Sequence, residues 1–211
     1  MPAARRPYDA SSRQDAARRN RAAVLGAFGD LLVRDGYAST TIRAVAERAG
    51  VSAETVYKAF GSKPGLVKAL WDVTLAGDDE PLTMAERPAL REVWRTSDPH
   101  AKLRLYAAFV RGVHERLAFL FTLLTQAGPE GAQVLADSEA ERLAGVTAFV
   151  THLHEQGALR PGTSTAQAAD ACWALTGPQL FTQLTAGRAW TPGSYEDWLA
   201  GLLAATLLAA P

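Results

Sequence analysis

The chain is poor in the residues that staple or metallate small proteins. Among 211 residues there is one cysteine, Cys172. A single thiol forms no intrachain disulfide and no cysteine-based metal site, and a cytoplasmic compartment is expected. Histidines number four. His152 and His154 stand two apart, so they point to different sides of a helix and do not have a metal-ligand spacing. No apolar run approaches the roughly 18 residues that a membrane span needs. The early arginines have no apolar stretch behind them, so no signal peptide is expected. Alternating strand patterns of useful length are missing, and so are internal repeats. There is no phosphate loop, no paired His/Glu metal spacing and no nucleophile elbow. These absences argue against an enzyme, and neither a metal nor a cofactor is expected.

Net charge is also lacking, with 22 basic against 22 acidic residues. The distribution matters more than the sum. Residues 1–68 hold 12 Lys/Arg and 6 Asp/Glu, while residues 69–211 hold 10 and 16. The basic excess is confined to the first third, where it suits phosphate contacts.

What the chain has in abundance is helical periodicity. Residues 1–12 read as a flexible arm. Ala17, Val24, Ala27, Phe28, Leu31 and Leu32 recur at helical spacings from Ala16 to Arg34, and Gly36 is placed to cap that helix. Ser62-Lys63-Pro64 opens a further helix. A short helix is expected around 85–95 and a long one from 98 to about 126, with Gly112 placed to bend or split it. Another long helix is expected from about 130 to 156, and one from 165 to 186 kinked at Gly177-Pro178. A last helix is expected from Ser194 to about Ala209. The predicted fold is all-α, with eight to ten helices.

The segment from Thr40 to Phe60 carries the chemistry. It reads as two short helices joined by a tight turn. Thr40 or Thr41 caps the first, while Ile42, Val45, Ala46 and Ala49 face inward. Gly50 sits where the chain reverses with positive φ. Ser52 caps the second helix, and Val56 and Phe60 anchor it. Ala53, Glu54, Thr55, Tyr57 and Lys58 are left outward on that second helix. In a helix-turn-helix this helix enters the major groove. A small residue at Ala53 allows close approach, Thr55 suits a base edge, and Tyr57 and Lys58 suit phosphate oxygens. Arg43 is within reach of a guanine edge or a phosphate. Lys63, at the start of the next helix, marks a further anion site.

The run Gly36-Tyr37-x-x-Thr40-Thr41-Ile42-Arg43-x-Val45-Ala46-x-x-Ala49-Gly50-Val51-Ser52-x-x-Thr55-Val56-Tyr57-x-x-Phe60-x-Ser62-Lys63-x-x-Leu66 resembles the DNA-binding domain of TetR-family regulators. The resemblance covers about 30 contiguous residues. It implies DNA contacts from Thr41, Arg43, Ser52, Thr55, Tyr57, Lys58 and Lys63. It departs from the family at Glu54, where glycine or lysine is common. An acidic side chain there either points aside or reads a cytosine amino group. The implied organisation is an arm over 1–12, a helix-turn-helix domain over 13–60, a connecting helix over 61–80, and a helical ligand-binding and dimerisation domain over 81–211.

Beyond the motif the readings branch. Arg5, Arg6, Arg13, Arg18 and Arg19 are either solvated or, in part, minor-groove contacts. His114 lies on the apolar stripe of the long helix, as a satisfied core histidine or as a polar group in a ligand pocket. Tyr106, Val110, Leu117, Phe121, Phe149, Trp173 and Phe181 share helical phases with it and make up the candidate pocket. Cys172 reads as packing. The last helix is apolar on nearly all sides, through Trp198, Leu199, Leu202, Leu203, Leu207 and Leu208. That fits a two-fold helical interface with 165–186 or, failing that, a central core helix. The leading expectation is a homodimeric repressor that binds a palindromic double-stranded DNA operator and releases it on binding a small, mostly apolar effector. The alternatives are a DNA-binding regulator without effector and, less supported, a helical enzyme.

Overall fold

The computed structural model describes residues 10–209. The described residues hold ten α-helices and one 3-10 turn, and their only β feature is an isolated bridge between Leu159 and Leu208. The chain divides into two compact units after Asp72. Most of the arm expected over 1–12 lies outside the described residues, with helix already present from Ala10.

The first unit holds α1 (Ala10–Ser39), α2 (Ile42–Ala49), α3 (Ala53–Phe60) and the first part of α4 (Lys63–Ala76). Of the expected stripe of α1, Val24, Ala27, Phe28, Leu31 and Leu32 are buried, while Ala17 is exposed. Burying a side chain the size of Phe28 or Leu32 contributes roughly 1.5–3 kcal/mol. Gly36, at φ 75, interrupts the helical dihedrals of α1 near its end. The hydroxyl of Thr40, itself buried, donates to the Gly36 carbonyl at 2.8 Å. This bond secures the corner into α2.

The second unit holds the 3-10 turn Met84–Glu86, then α5 (Pro88–Arg95), α6 (Pro99–Thr125), α7 (Gly128–Glu155), α8 (Thr165–Leu175), α9 (Pro178–Arg188) and α10 (Pro192–Leu207). Its core gathers Val93 of α5, Leu103 and Ala107 of α6, Val150 and Leu153 of α7, Ala168 of α8, and Leu199 and Leu203 of α10. Asp98 caps α6 by accepting from the amides of His100 and Ala101. Ser164 and Gln167 form a capping box on α8.

Three expectations are corrected. Gly112 does not split α6, which runs unbroken for 27 residues. The missing side chain costs some propensity, but burial along the whole helix outweighs it. Gly177-Pro178 separates two helices instead of kinking one, with Gly177 extended at φ −72 and ψ 148. The residue before a proline is driven out of the helical region. Finally, α10 starts two residues early. Thr191 caps it, and Pro192 fits the first turn, where its missing N–H is not needed.

The all-round apolar character of α10 resolves into two faces. Tyr195, Leu199, Leu203 and Leu207 form an i, i+4 stripe that is buried within this chain. Trp198 and Leu202 stand half-buried beside it. Arg111 of α6 donates to Glu196 of α10 at 2.9 Å, which ties the two helices side by side. Among the described residues no helix is long and apolar enough to cross a membrane.

Candidate functional site

The turn between α2 and α3 follows from its residues. Thr41 is extended, and its hydroxyl accepts from the Ala44 amide at 3.2 Å, capping α2. Gly50 closes α2 at φ 69, ψ 28, a left-handed conformation that L side chains resist. The Val51 amide then donates to the Ala46 carbonyl at 3.0 Å. Ser52 accepts from the Thr55 amide at 3.1 Å and so caps α3. Val56 and Phe60 are the two buried residues of α3.

The start of α4 locks against the end of α3. Ser62 accepts from the Gly65 amide at 3.2 Å. A side chain at Gly65 would fall on the Phe60 carbonyl oxygen, so only glycine allows this approach. Lys63 reaches back to α1. Its ammonium donates to the Tyr37 carbonyl at 2.5 Å and lies 4.0 Å from the centre of the Tyr37 ring. Two contacts that the sequence did not signal add to this frame. Arg48 of α2 pairs with Asp30 of α1 at 2.7 Å, and the Arg21 guanidinium sits 5.2 Å from the Phe60 ring centre. Both join residues far apart in sequence, and no local pattern encodes them.

Held by this frame, α3 presents Glu54, Thr55, Tyr57 and Lys58 to solvent, with Ala53 half-buried at its first turn. Tyr57 is 54% exposed, unusual for a large aromatic. Arg43 and Thr41 are exposed on the neighbouring α2 edge. The structure therefore gathers Thr41, Arg43, Ser52, Ala53, Thr55, Tyr57 and Lys58 on two short helices and their caps. Lys63 is only half-buried, but its ammonium is engaged within the domain. Arg18 pairs with Asp15 at 3.1 Å on the exposed side of α1. Arg5 and Arg6 lie outside the described residues, and so does the Arg13 side chain.

The second unit holds a different constellation. Tyr106, Val110, Phe149 and Phe181 share one buried cluster, with Trp173 packed at its margin. Tyr106 stacks on Phe149 at 4.0 Å between ring centres. His114 is 5% exposed and lies 5.5 Å from Phe181 and 6.3 Å from Tyr195, centre to centre. Of the eight candidate pocket residues, Leu117 is buried outside that cluster and Phe121 is half-buried outside it.

Polar atoms inside this unit are unusual. His114 Nδ1, the Tyr195 hydroxyl and Trp173 Nε1 are buried without hydrogen-bond partners. Burial, with a smaller push from Arg142, lowers the His114 pKa to about 4. Burial raises the Tyr195 phenol and the Cys172 thiol to about 12 each. Cys172 is thus protonated packing, as expected of it.

Arg142 of α7 is the residue that sequence reasoning missed. Its guanidinium donates to the Trp173 carbonyl at 2.8 Å and to the Thr176 hydroxyl at 3.2 Å, and it lies 4.9 Å from the Trp173 ring centre. Its charge is met by Glu139 at 2.6 Å. The i, i+3 pair of Glu139 and Arg142 was a visible signal. Its inward direction was not. Lys102, at the first turn of α6, is wholly enclosed, and its Nζ has no partner.

Comparison with known proteins finds similarity in sequence for the first unit and in fold for the chain as a whole. Residues 29–70 match the model of the family described as bacterial regulatory proteins, tetR family. A curated relative, the uncharacterized HTH-type transcriptional regulator YvkB of Bacillus subtilis, is 47% identical over 47 residues, which is 22% of this chain. The match spans only a quarter of that relative's length. Among solved structures, a TetR-family transcriptional regulator from Rhodococcus sp. superposes with a TM-score of 0.68 at 17% identity, covering 90% of this chain and 99% of that one. The transcriptional regulator FadR from Bacillus subtilis, in complex with stearoyl-CoA, superposes with a TM-score of 0.64 at 16% identity over 86% and 96% of the two chains. At such identities the likeness concerns the fold alone.

Proposed function

We propose that the chain is a TetR-family transcriptional regulator that works as a homodimeric repressor released from its operator by a small, mostly apolar effector; the match of residues 29–70 to the family and the likeness of the whole fold support this reading. The observation that carries the DNA-binding part is α3, capped at Ser52, anchored by Val56 and Phe60, and exposing Thr55, Tyr57 and Lys58. A rigid helix with free outward side chains reads base edges in the major groove. Thr55 and Arg43 contact bases, with Ala53 permitting close approach. Tyr57, Lys58 and the capping residues Thr41 and Ser52 contact phosphates. Lys63 supports the interface by holding α4 to Tyr37. Glu54 lies beside Thr55 and reads a cytosine amino group or turns to solvent.

Two recognition helices on one dimer read a palindrome in successive major grooves. The half-buried Trp198 and Leu202 of α10, with the outer sides of α8 and α9, supply the apolar surface for the second copy. The effector reading draws on the unpartnered polar atoms among aromatic side chains in the second unit. FadR of the same fold carries stearoyl-CoA, which supports a body able to hold a largely apolar molecule. Such a molecule releases DNA only if it binds one form of the dimer better than the other.

The test is selection from random oligonucleotides with the full chain. A short inverted repeat bound with strong salt dependence is expected. Failure to enrich any specific site overturns the reading.

A further inference from the structure

His114 and Tyr195 come from α6 and α10, and each is more than nine-tenths buried. Both carry a polar atom with no partner, and their rings stand 6.3 Å apart. A buried donor or acceptor left unmade is costly, and two side by side call for a shared partner. What touches both instead is a hydrocarbon ring. Phe181 lies 5.0 Å from Tyr195, edge to face, and 5.5 Å from His114.

Phe181 belongs to a loosely moored element. It is the only buried residue of α9. That helix begins at the Gly177-Pro178 break and ends at Ala189, which has φ 57 and is the one non-glycine residue with positive φ among the described residues. A β-carbon in that region is strained. Leu180 and Leu184 pack only partly buried against the core, so α9 is a short helix held chiefly by Phe181 and strained at its end, a combination that favours local opening.

We propose that Phe181 plugs the effector site, and that the effector is a neutral aromatic molecule whose hydroxyl or carbonyl oxygen bonds Tyr195 and His114 once its ring has taken the place of Phe181. This rests on the reading of the second unit as an effector domain. The Tyr195 hydroxyl donates to the ligand oxygen, and His114 Nδ1 completes the contact. The Tyr106 hydroxyl is not among the buried polar atoms left without a partner. Neutrality follows from the surroundings. His114 stays uncharged in this setting, and the cations on its side, Arg142 and Arg111, are matched by Glu139 and Glu196. An anion would therefore enter without a counter-charge. Since α9 moves with Phe181, occupancy shifts a helix next to α10.

The experiment uses the full chain with Phe181→Ala, which opens the site, and titrates phenol, acetophenone, toluene and benzoate by calorimetry. Phenol and acetophenone should bind about tenfold or more tightly than toluene, a factor suited to one buried hydrogen bond. Benzoate should bind worst. Adding Tyr195→Phe should erase the preference. Phe181→Leu, a milder opening, serves if the alanine variant does not fold, with the same ranking expected. Equal binding of toluene, tightest binding of benzoate, no probe binding at all, or a preference that survives Tyr195→Phe each overturns the proposal; the last marks groups satisfied by water alone. Operator affinity, read in parallel, separates the two levels. Probe binding that leaves operator affinity unchanged supports the site and overturns its coupling to DNA. Operator release by molecules that do not perturb the Tyr195 and His114 resonances overturns the site and leaves the effector reading standing.

Discussion

The hydroxyls of Ser52 and Thr55 lie 2.8 Å apart across the first turn of α3. The same Ser52 oxygen accepts from the Thr55 amide at 3.1 Å. The residue that caps the helix thus also orients the side chain proposed to read a base. Ser52→Ala should lower stability by about 1 kcal/mol, the usual value of an N-cap, and should broaden base preference as well. Thr55→Ala should leave stability nearly unchanged and alter discrimination at one operator position by roughly 1–3 kcal/mol. Urea unfolding and competition binding on operator variants separate the two effects.

Lys63 and Tyr57 should behave in opposite ways. Lys63→Met removes the bond to the Tyr37 carbonyl and the contact with its ring. Stability should fall by about 1–2 kcal/mol. Tyr57 is 54% exposed, so Tyr57→Ala should change stability by less than about 0.5 kcal/mol while weakening DNA binding on every sequence. Thermal unfolding paired with binding to specific and random DNA reads both.

His114 should make the protein acid-sensitive. Its folded pKa of about 4 lies below the ordinary 6.5 of histidine. Between those values the unfolded chain takes up a proton that the folded chain refuses. Stability from this group is therefore complete above about pH 6.5 and declines as pH falls toward 4. The full loss is on the order of 3 kcal/mol. Denaturant unfolding from pH 7.5 to 4.5 should show the decline, and His114→Leu should flatten it. An equally steep decline in the variant would assign it to other groups.

Lys102 is fully enclosed, its ammonium has no hydrogen-bond partner, and desolvation by burial pulls its pKa down. Methionine has a similar length and no charge to bury. Lys102→Met should raise stability by about 1 kcal/mol or more, measured as a shift of the urea midpoint with unchanged slope.

Dimerisation should depend on the outer side of α10. Trp198→Ala together with Leu202→Glu leaves the buried stripe of Tyr195, Leu199, Leu203 and Leu207 intact. Sedimentation should show a folded monomer with lost operator binding. A variant that remains dimeric and bound to its operator would refute this interface.

The helix-turn-helix part was legible in the sequence to the level of single caps. Thr41, Gly50, Ser52 and Ser62 act within three or four residues of their partners, and short-range geometry is what residue order encodes. All-α architecture and helix positions followed from periodicity for the same reason. Tertiary structure decided the rest. It sent Lys63 to Tyr37 across 26 positions, and Arg111 to Glu196 across 85. It turned Arg142 inward among Trp173 and Thr176, and split the stripe of α10 into a buried and a half-buried side. It also removed Phe121 from the core group while adding Tyr195. A helix's own period says which residues share a face; only the packing of its neighbours says which face meets the core, and which polar atoms are left there without partners.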